Sequence, residues 1–241
     1  MTSTTLFRVP PSDDVVANVA ERVAALRPRP REQRWASLSA CVLDAVWSIG
    51  ARYDGVVAPL VRRVLEDGAT GSLVTSDVPQ EDVYPLDRFM DRFPDEEALL
   101  AVARNRQRTS TRSGITKAQA VLGYIRVLLE HGVCDLADAN RALGTAPLLA
   151  SIENGMRRVR GEGRYGIRRG YFWMLCGDDG RIKPDRMVLR WLAPLGVRDP
   201  EVAQQLLIDV AAFLSQNGAS PVTPWEVDHA IWSAARAGAT S

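Results

Sequence analysis

The sequence predicts an all-α protein. Three observations lead to that expectation. Apolar residues recur at three- and four-residue spacing over most of the chain, the period of helices with one buried face. Helix starts carry recognisable caps, among them Ser12-Asp13-Asp14 and Thr223-Pro224-Trp225-Glu226. No stretch alternates apolar with polar residues as a half-buried strand would, and there is no internal repeat or low-complexity tract.

A first helix opens behind Ser12 and reaches about Leu26, where Arg27-Pro28-Arg29-Pro30 breaks it and continues as a stiff connection. From Trp35 to Ile49, Leu38, Cys41, Val42, Ala45, Val46 and Ile49 share one face, which marks a central helix. Another follows Asp54 and runs to about Leu65, and the Gly-, Ser-, Thr- and Asp-rich stretch 67–80 reads as a flexible loop. Helices are expected over 85–93 and 95–107. The clearest amphipathic stripe lies between Thr116 and His131, through Ala118, Val121, Leu122, Ile125, Leu128 and Leu129. Asp135–Leu143 and Ala146–Asn154 are short helices leading into an arginine-rich turn, and the next helix runs from about Tyr165 to Cys176. Past Asp185 come a helix buried through Met187, Val188, Trp191, Leu192 and Leu195, and one marked by Val202, Leu206, Leu207, Val210, Phe213 and Leu214. The last begins with Thr223 as cap, Pro224 in the first helical position and Glu226 completing a capping box.

Composition narrows the function. With 241 residues the chain suits one domain of two lobes or two small domains. A net charge of +1 gives no global attraction to polyanions, but the charge is unevenly placed. Every basic residue except Lys117 and Lys183 is arginine. Arg157, Arg158, Arg160, Arg164, Arg168 and Arg169 crowd around the single acid Glu162, and Arg104, Arg106, Arg108 and Arg112 form a second cluster. Arginine binds phosphate through paired N–H groups and stacks on bases, so local clusters outweigh the total. A GC-rich genome explains the excess of arginine over lysine but not the clustering. Glu162 would repel phosphate and is expected as a solvated or helix-capping residue, while Lys117 and Lys183 are expected at the surface.

Cys41, Cys134 and Cys176 are far apart and odd in number, so reduced thiols are expected, with no metal site and no iron–sulfur cluster. His131 and His229 stand apart from them and from paired carboxylates, which speaks against a histidine-based triad or metal mechanism. There is no signal peptide and no apolar run near the ~18 residues of a membrane span. The expectation is a cytoplasmic monomer, associated with the bacterial nucleoid, without cofactor.

The most informative segment lies between Arg157 and Trp191. Gly161-Glu162-Gly163 joins two helices, and its glycines permit positive φ and close approach of a ligand to backbone amides. The helix that follows, with Ile167, Tyr171, Met174 and Leu175 as its buried stripe, turns its free N-terminal amides outward and favours an anion. Such a corner holds a backbone phosphate without reading sequence. Alternatively, the glycines only relieve strain at an ordinary corner. Asp185 follows Pro184 in the first turn of the next helix, where negative charge is favoured. That position is equally explained by helix stabilisation alone. The separation of 22 residues from Gly163 leaves room for one helix and a return.

These residues resemble the helix–hairpin–helix DNA glycosylases typified by endonuclease III. Gly114-Ile115-Thr116-Lys117-Ala118-Gln119-Ala120-Val121 is similar to that family's helix start after a glycine. Val159-Arg160-Gly161-Glu162-Gly163 is similar to its hairpin, and Lys183-Pro184-Asp185-Arg186-Met187-Val188-Leu189-Arg190 to the segment carrying its catalytic aspartate. The resemblance covers roughly residues 35–195. It implies two helical lobes, one of residues 31–176 with the hairpin at about 146–176, the other of residues 1–30 plus 177–241 carrying Asp185, with double-stranded DNA across the cleft. Gly161, Gly163, Arg160, Arg164, Tyr165 and Arg168 would grip the backbone beside a flipped nucleotide. Asp185 would stabilise the cationic sugar or orient the attacking water, and Ser48, Arg52 and Tyr53 would line the base pocket.

The departures from the family are as informative. No lysine follows the second hairpin glycine, where bifunctional members carry the amine that attacks the sugar; Arg164, Tyr165, Gly166 and Ile167 stand there. Arginine stays protonated and cannot act as that nucleophile, so the expectation is a monofunctional glycosylase without lyase activity. The four-cysteine iron–sulfur loop is absent, the hairpin is one residue longer, and Arg160 replaces a common proline. The second reading is a non-catalytic binder of bent or lesioned DNA on the same fold. A third, a helical protein–protein adaptor, leaves the arginine clusters without a purpose.

Overall fold

The computed structural model describes residues 12–237. These are mostly helical, and the elements follow one another in the order the periodicity predicts. α1 spans Asp13–Ala25, with the Ser12 carbonyl, not its side chain, closing the first turn. A two-residue strand β1 (Arg34–Trp35) precedes α2 (Leu38–Trp47), which Ser37 caps through its hydroxyl to the Ala40 amide. One π-helical turn over Tyr53–Val57 leads into α3 (Ala58–Leu65), and β2 (Val74–Thr75) pairs antiparallel with β1. Then come α4 (Leu86–Arg92), α5 (Glu96–Ala103), α6 (Lys117–Glu130), α7 (Leu136–Leu143), α8 (Ala146–Arg158) and α9 (Ile167–Leu175). The chain ends with α10 (Arg186–Leu192), α11 (Pro200–Asn217) and α12 (Pro224–Ala237). The capping box of α12 forms in both directions: Glu226 N donates to Thr223 Oγ1, and Thr223 N to Glu226 Oε2.

The chain divides into two compact units, Arg31–Asp178 and the flanking Met1–Pro30 with Asp179–Ser241. Residues 1–11 and 238–241 of the latter lie outside the described residues. In the larger unit α2 is central. All ten of its residues are buried, and α6 and α9 pack against it. Around it and its own Trp47 lie Tyr84, Phe89, Tyr124, Phe172 and Trp173, with Tyr124 and Phe172 meeting edge to face at 6.3 Å. In the smaller unit α1 packs on α11, and α10 and α11 on α12, around Val19, Val23, Val188, Leu192, Leu206, Leu207, Val210, Val227 and Ile231.

Three expectations are corrected. A short β-ladder exists, because Arg34–Trp35 and Val74–Thr75 pair across a long excursion; two residues per strand are too few to show alternation. Secondly, the stretch expected as a flexible loop is tied down. Ala36 N donates to Leu73 O, Val83 N to Ala36 O, and Thr70 N to Val83 O. Just beyond its far end stands Asp82, whose Oδ2 accepts from the Leu38 amide (2.8 Å) and the Leu136 amide (3.1 Å) while Oδ1 accepts from Tyr84 N. One carboxylate thus serves the first turns of both α2 and α7, each of which has N–H groups with no partner inside its own helix. Thirdly, the helix expected over 95–107 stops at Ala103. Arg104 takes a left-handed conformation (φ 50°), and residues 104–116 leave as a loop closed by a bridge between Arg108 and Thr116.

Both lysines are also corrected: neither is at the surface. Lys117 is buried, and its ammonium donates to Trp47 O (2.8 Å), Ile49 O (2.8 Å) and Gln107 Oε1 (3.0 Å). All three N–H groups are used, two of them on the carbonyl end of α2. Burial, with Arg168 as a neighbouring cation, lowers its pKa to about 8. Lys183 is buried in the smaller unit beside Asp185.

Replacing Asp82 with alanine should destabilise the larger unit by roughly 2–3 kcal/mol, since it leaves helix-start amides of α2 and α7 without acceptors. Urea denaturation of the variant checks this; unchanged stability would show that Asp82 does not organise the 67–84 segment.

Candidate nucleic-acid interface

The turn between α8 and α9 is built from its single acid outward. α8 runs a turn past its expected end at Asn154 and stops at Arg158, and α9 starts at Ile167. Between them Gly161 and Gly163 both take φ of +88°, a conformation that side-chain-bearing residues rarely adopt. Glu162, expected as a solvated or helix-capping residue, is 7% exposed. The Tyr124 hydroxyl of α6 donates to its Oε2, Arg169 pairs with its Oε1 at 3.2 Å, and the Arg168 guanidinium lies 3.9 Å away. Arg169 also approaches Glu153 at 3.9 Å, so α8, the turn and α9 share one ion network. Burial raises the pKa of Glu162 and, together with the carboxylate itself, that of Tyr124.

Arg168, expected among the residues that grip the backbone, is buried inside the turn. It is 2% exposed, and its guanidinium donates to the Gly161 carbonyl inside the turn. The physical reason is a one-residue phase error in α9. Of the expected stripe Met174 is buried and Tyr171 and Leu175 are partly buried against the core, but the face is centred on Arg168, Phe172 and Trp173. Arg168 therefore shapes the turn from within.

The rest of the turn faces outward. Arg160, Gly163, Arg164 and Tyr165 are exposed, Tyr165 to 42%, with the Arg164 guanidinium 5.4 Å above its ring. Gly161 and Gly163 differ in surroundings. A Cβ at Gly161 would stand 2.6 Å from Thr109 Cβ, whereas one at Gly163 would meet nothing within 4 Å. Gly161 is thus an internal packing position and Gly163 the open tip. None of the turn's backbone bonds uses the amides of Gly163, Arg164 or Tyr165. With the acid turned inward, the outer surface presents cations, free N–H groups and one aromatic ring.

Asp185, in the smaller unit, stands one position before α10 as its cap, not inside its first turn. Its Oδ1 accepts from the amides of Met187 (2.8 Å) and Val188 (3.2 Å). The other oxygen, Oδ2, lies 3.9 Å from Lys183 Nζ, and the side chain is 21% exposed. Behind it is a carboxylate that sequence reasoning passed over: Asp228 of α12 is buried and accepts from the Lys183 amide at 2.9 Å. Its position beside Val227 and four residues before Trp232 on an amphipathic helix was the available signal. Burial pushes the Asp228 carboxyl up to about 8, with Asp185 adding to the rise.

The expected base-pocket residues follow α2. Ser48 ends that helix half-buried, Arg52 is exposed before the π-helical turn, and Tyr53 is half-buried with its hydroxyl donating to Asp44 Oδ2 at 3.1 Å. Asp44 also accepts from Trp35 Nε1 at 2.8 Å. Burial and this carboxylate push the Tyr53 pKa well up. Asp44 was missed although an acid on an otherwise apolar helix is a visible anomaly. Cys41, Cys134 and Cys176 are free thiols. Among the described residues no group of three or more His, Cys, Asp or Glu could hold a metal ion, and no helix is long and apolar enough to cross a membrane.

Fold and site together define a helical protein with a glycine–arginine turn and a separately housed helix-capping aspartate. A family model matches residues 13–236, and the chain belongs to that family, described as "Domain of unknown function (DUF8548)". Neither a curated protein nor a solved structure matches it.

Two outcomes follow from these geometries. Gly163→Ala should cost about 1–2 kcal/mol, the strain of a left-handed backbone, while Gly161→Ala should cost roughly 1–3 kcal/mol more because its Cβ also collides with Thr109. Thermal unfolding of the two variants tests this ranking; equal costs would show that Thr109 yields freely. For Asp228 the folded pKa lies above the ordinary 3.8, so the folded protein holds the extra proton. Its stability is greatest below that value and falls as pH rises towards about 8, by up to about 1.4 kcal/mol per pH unit. Asp228→Asn should flatten that slope in urea titrations across the window, and an unchanged slope would refute the assignment.

Proposed function

We propose that the protein is a helix–hairpin–helix DNA-binding protein of the glycosylase type, which holds duplex DNA by its backbone and hydrolyses the N-glycosidic bond of a flipped damaged or modified base. The observation that carries this reading is the inward turn of Glu162, which leaves the open glycine tip among Arg160, Arg164 and Tyr165 with no exposed acid in the turn. Backbone N–H groups at a Cβ-free tip, flanked by guanidinium groups, match a phosphodiester and read no sequence. Tyr165 supplies a ring that can stack against a base or a sugar edge.

In the chemical step the base leaves with the electron pair of the C1′–N bond and acquires a proton, while water adds to C1′. The sugar becomes cationic on the way, and a carboxylate close to it stabilises that charge. Asp185 is the proposed group, acting through Oδ2, since Oδ1 is held by two amides. The saturated ammonium of Lys117 supports hydrolysis over amine attack: its three N–H groups each have an acceptor, and it is buried. A second reading, a non-catalytic binder of bent or lesioned DNA, is favoured by one observation. The Lys183 ammonium already lies 3.9 Å from Asp185 Oδ2.

The test uses duplexes carrying a panel of altered bases, scored for alkali-labile abasic sites. Asp185→Asn should reduce base release by about 10²–10³-fold while leaving duplex binding intact, because asparagine caps a helix nearly as well as aspartate. Borohydride should trap no covalent complex. Duplex binding without base release on any substrate would establish the second reading, and absence of binding would remove both.

A further inference from the structure

A second loop is built onto the turn between α8 and α9. Residues 104–116 are closed across their base by bonds from Lys117 N to Gln107 O (2.8 Å) and from Thr109 N to Ile115 O (2.9 Å). Arg108 donates to Gly114 O at 2.7 Å and the Ser110 hydroxyl to Arg112 O at 3.1 Å. From beneath, the buried Lys117 ammonium holds Gln107 Oε1. The loop is seated on the turn through Thr109, whose side chain occupies the space that a Cβ at Gly161 would need. The two arginine clusters, separate in sequence, are therefore neighbours in the larger unit.

The charge of this loop is one-sided. No Asp or Glu lies anywhere between Glu97 and Glu130. Arg106, Arg108 and Arg112 are exposed, as is the whole tip Ser110-Thr111-Arg112-Ser113. Arg106 and Arg112 make no side-chain hydrogen bond or ion pair among the described residues, and Arg108 uses only one N–H group on Gly114. A loop already closed by its own bonds loses little conformational freedom on binding. Guanidinium and hydroxyl groups are the side chains that contact phosphate oxygens in nucleic-acid complexes.

We infer that the 104–116 loop is a second backbone-gripping element, and that it and the α8–α9 turn form one composite surface for the phosphodiester backbone of duplex DNA. The inference rests on the DNA-binding reading above and adds to it a contact set outside the glycine turn. Arg106, Arg108 and Arg112 are the phosphate ligands of the loop, and Thr109 is the residue that positions it.

Two double variants separate the inference from the reading beneath it: Arg106→Ala with Arg112→Ala in the loop, and Arg160→Ala with Arg164→Ala in the turn. All four side chains are exposed, so both proteins should fold as the parent does, which circular dichroism and thermal unfolding establish first. Binding of the full chain to an unmodified duplex oligonucleotide is then measured against salt concentration. Losing two phosphate contacts should lower the slope of log affinity against log salt by about 2 and weaken binding on the order of 50-fold near a tenth molar salt. The loss should be uniform across duplex sequences. A loop variant that binds as tightly as the parent, while the turn variant weakens, would overturn the inference and leave the DNA-binding reading intact. A parent protein that binds no duplex would overturn both.

Discussion

The inward turn of Glu162 is the constraint on which the rest of the turn depends. A carboxylate flanked by two glycines with positive φ would ordinarily remain in water. Here it is withdrawn and held by the Tyr124 hydroxyl, Arg169 and Arg168. Its raised pKa reflects the cost of that burial. Buried ion pairs of this kind contribute little net stability, because desolvation offsets most of the attraction, but their geometry is demanding. That demand orients the turn. Arg168 is drawn beneath Gly161, the ends of α8 and α9 share partners, and the remaining arginines are left outside without a nearby exposed acid. The net charge of +1 conceals this separation of signs.

What was legible in the sequence followed from local rules. Helical periodicity located the helices, and capping residues located several of their starts, including the reciprocal bonds of Thr223 and Glu226. What was not legible depended on partners distant along the chain. Asp82 organises a segment that looked like a flexible loop by serving amides 44 and 54 residues away. Lys117 reads as a surface charge until Trp47 and Ile49, some 70 and 68 residues away, supply its acceptors. Arg168 shows a subtler limit. It stands four residues before Phe172 and so lies on the buried face, but Ile167 and Tyr171 define a plausible apolar stripe one residue out of phase. Where a charged residue occupies the buried face, hydrophobic spacing alone selects the wrong side.

Arginine and lysine divide their work in a way that follows from their shapes. The only two lysines are both buried, so every exposed side-chain guanidinium or ammonium in the described residues is a guanidinium. An ammonium is compact and directs three N–H groups outward, which suits convergence of three oxygens such as Trp47 O, Ile49 O and Gln107 Oε1. A guanidinium is planar, less strongly hydrated and always charged, which suits an exposed surface that must meet phosphate or stack on a ring, as Arg164 does over Tyr165. Both lysines are buried, and at Lys117 the compact ammonium meets three oxygens, an arrangement that suits its shape.

The aspartate at the start of α10 illustrates how one residue serves structure without being excluded from chemistry. Its Oδ1 is committed to two helix amides, and the turn that delivers it is held from the other side, where Asp228 accepts from the Lys183 amide and Asp185 N donates to Lys183 O at 2.6 Å. Such fixation lowers the freedom of the whole Lys183–Pro184–Asp185 segment, and a group that must meet developing charge gains from being held before the reaction begins. The same fixation keeps Lys183 near Oδ2. If the carboxylate acts on a cationic sugar, the ammonium must either withdraw or remain as a competing cation that weakens the stabilisation. Capping therefore fixes where Asp185 stands, with Lys183 held beside its second oxygen.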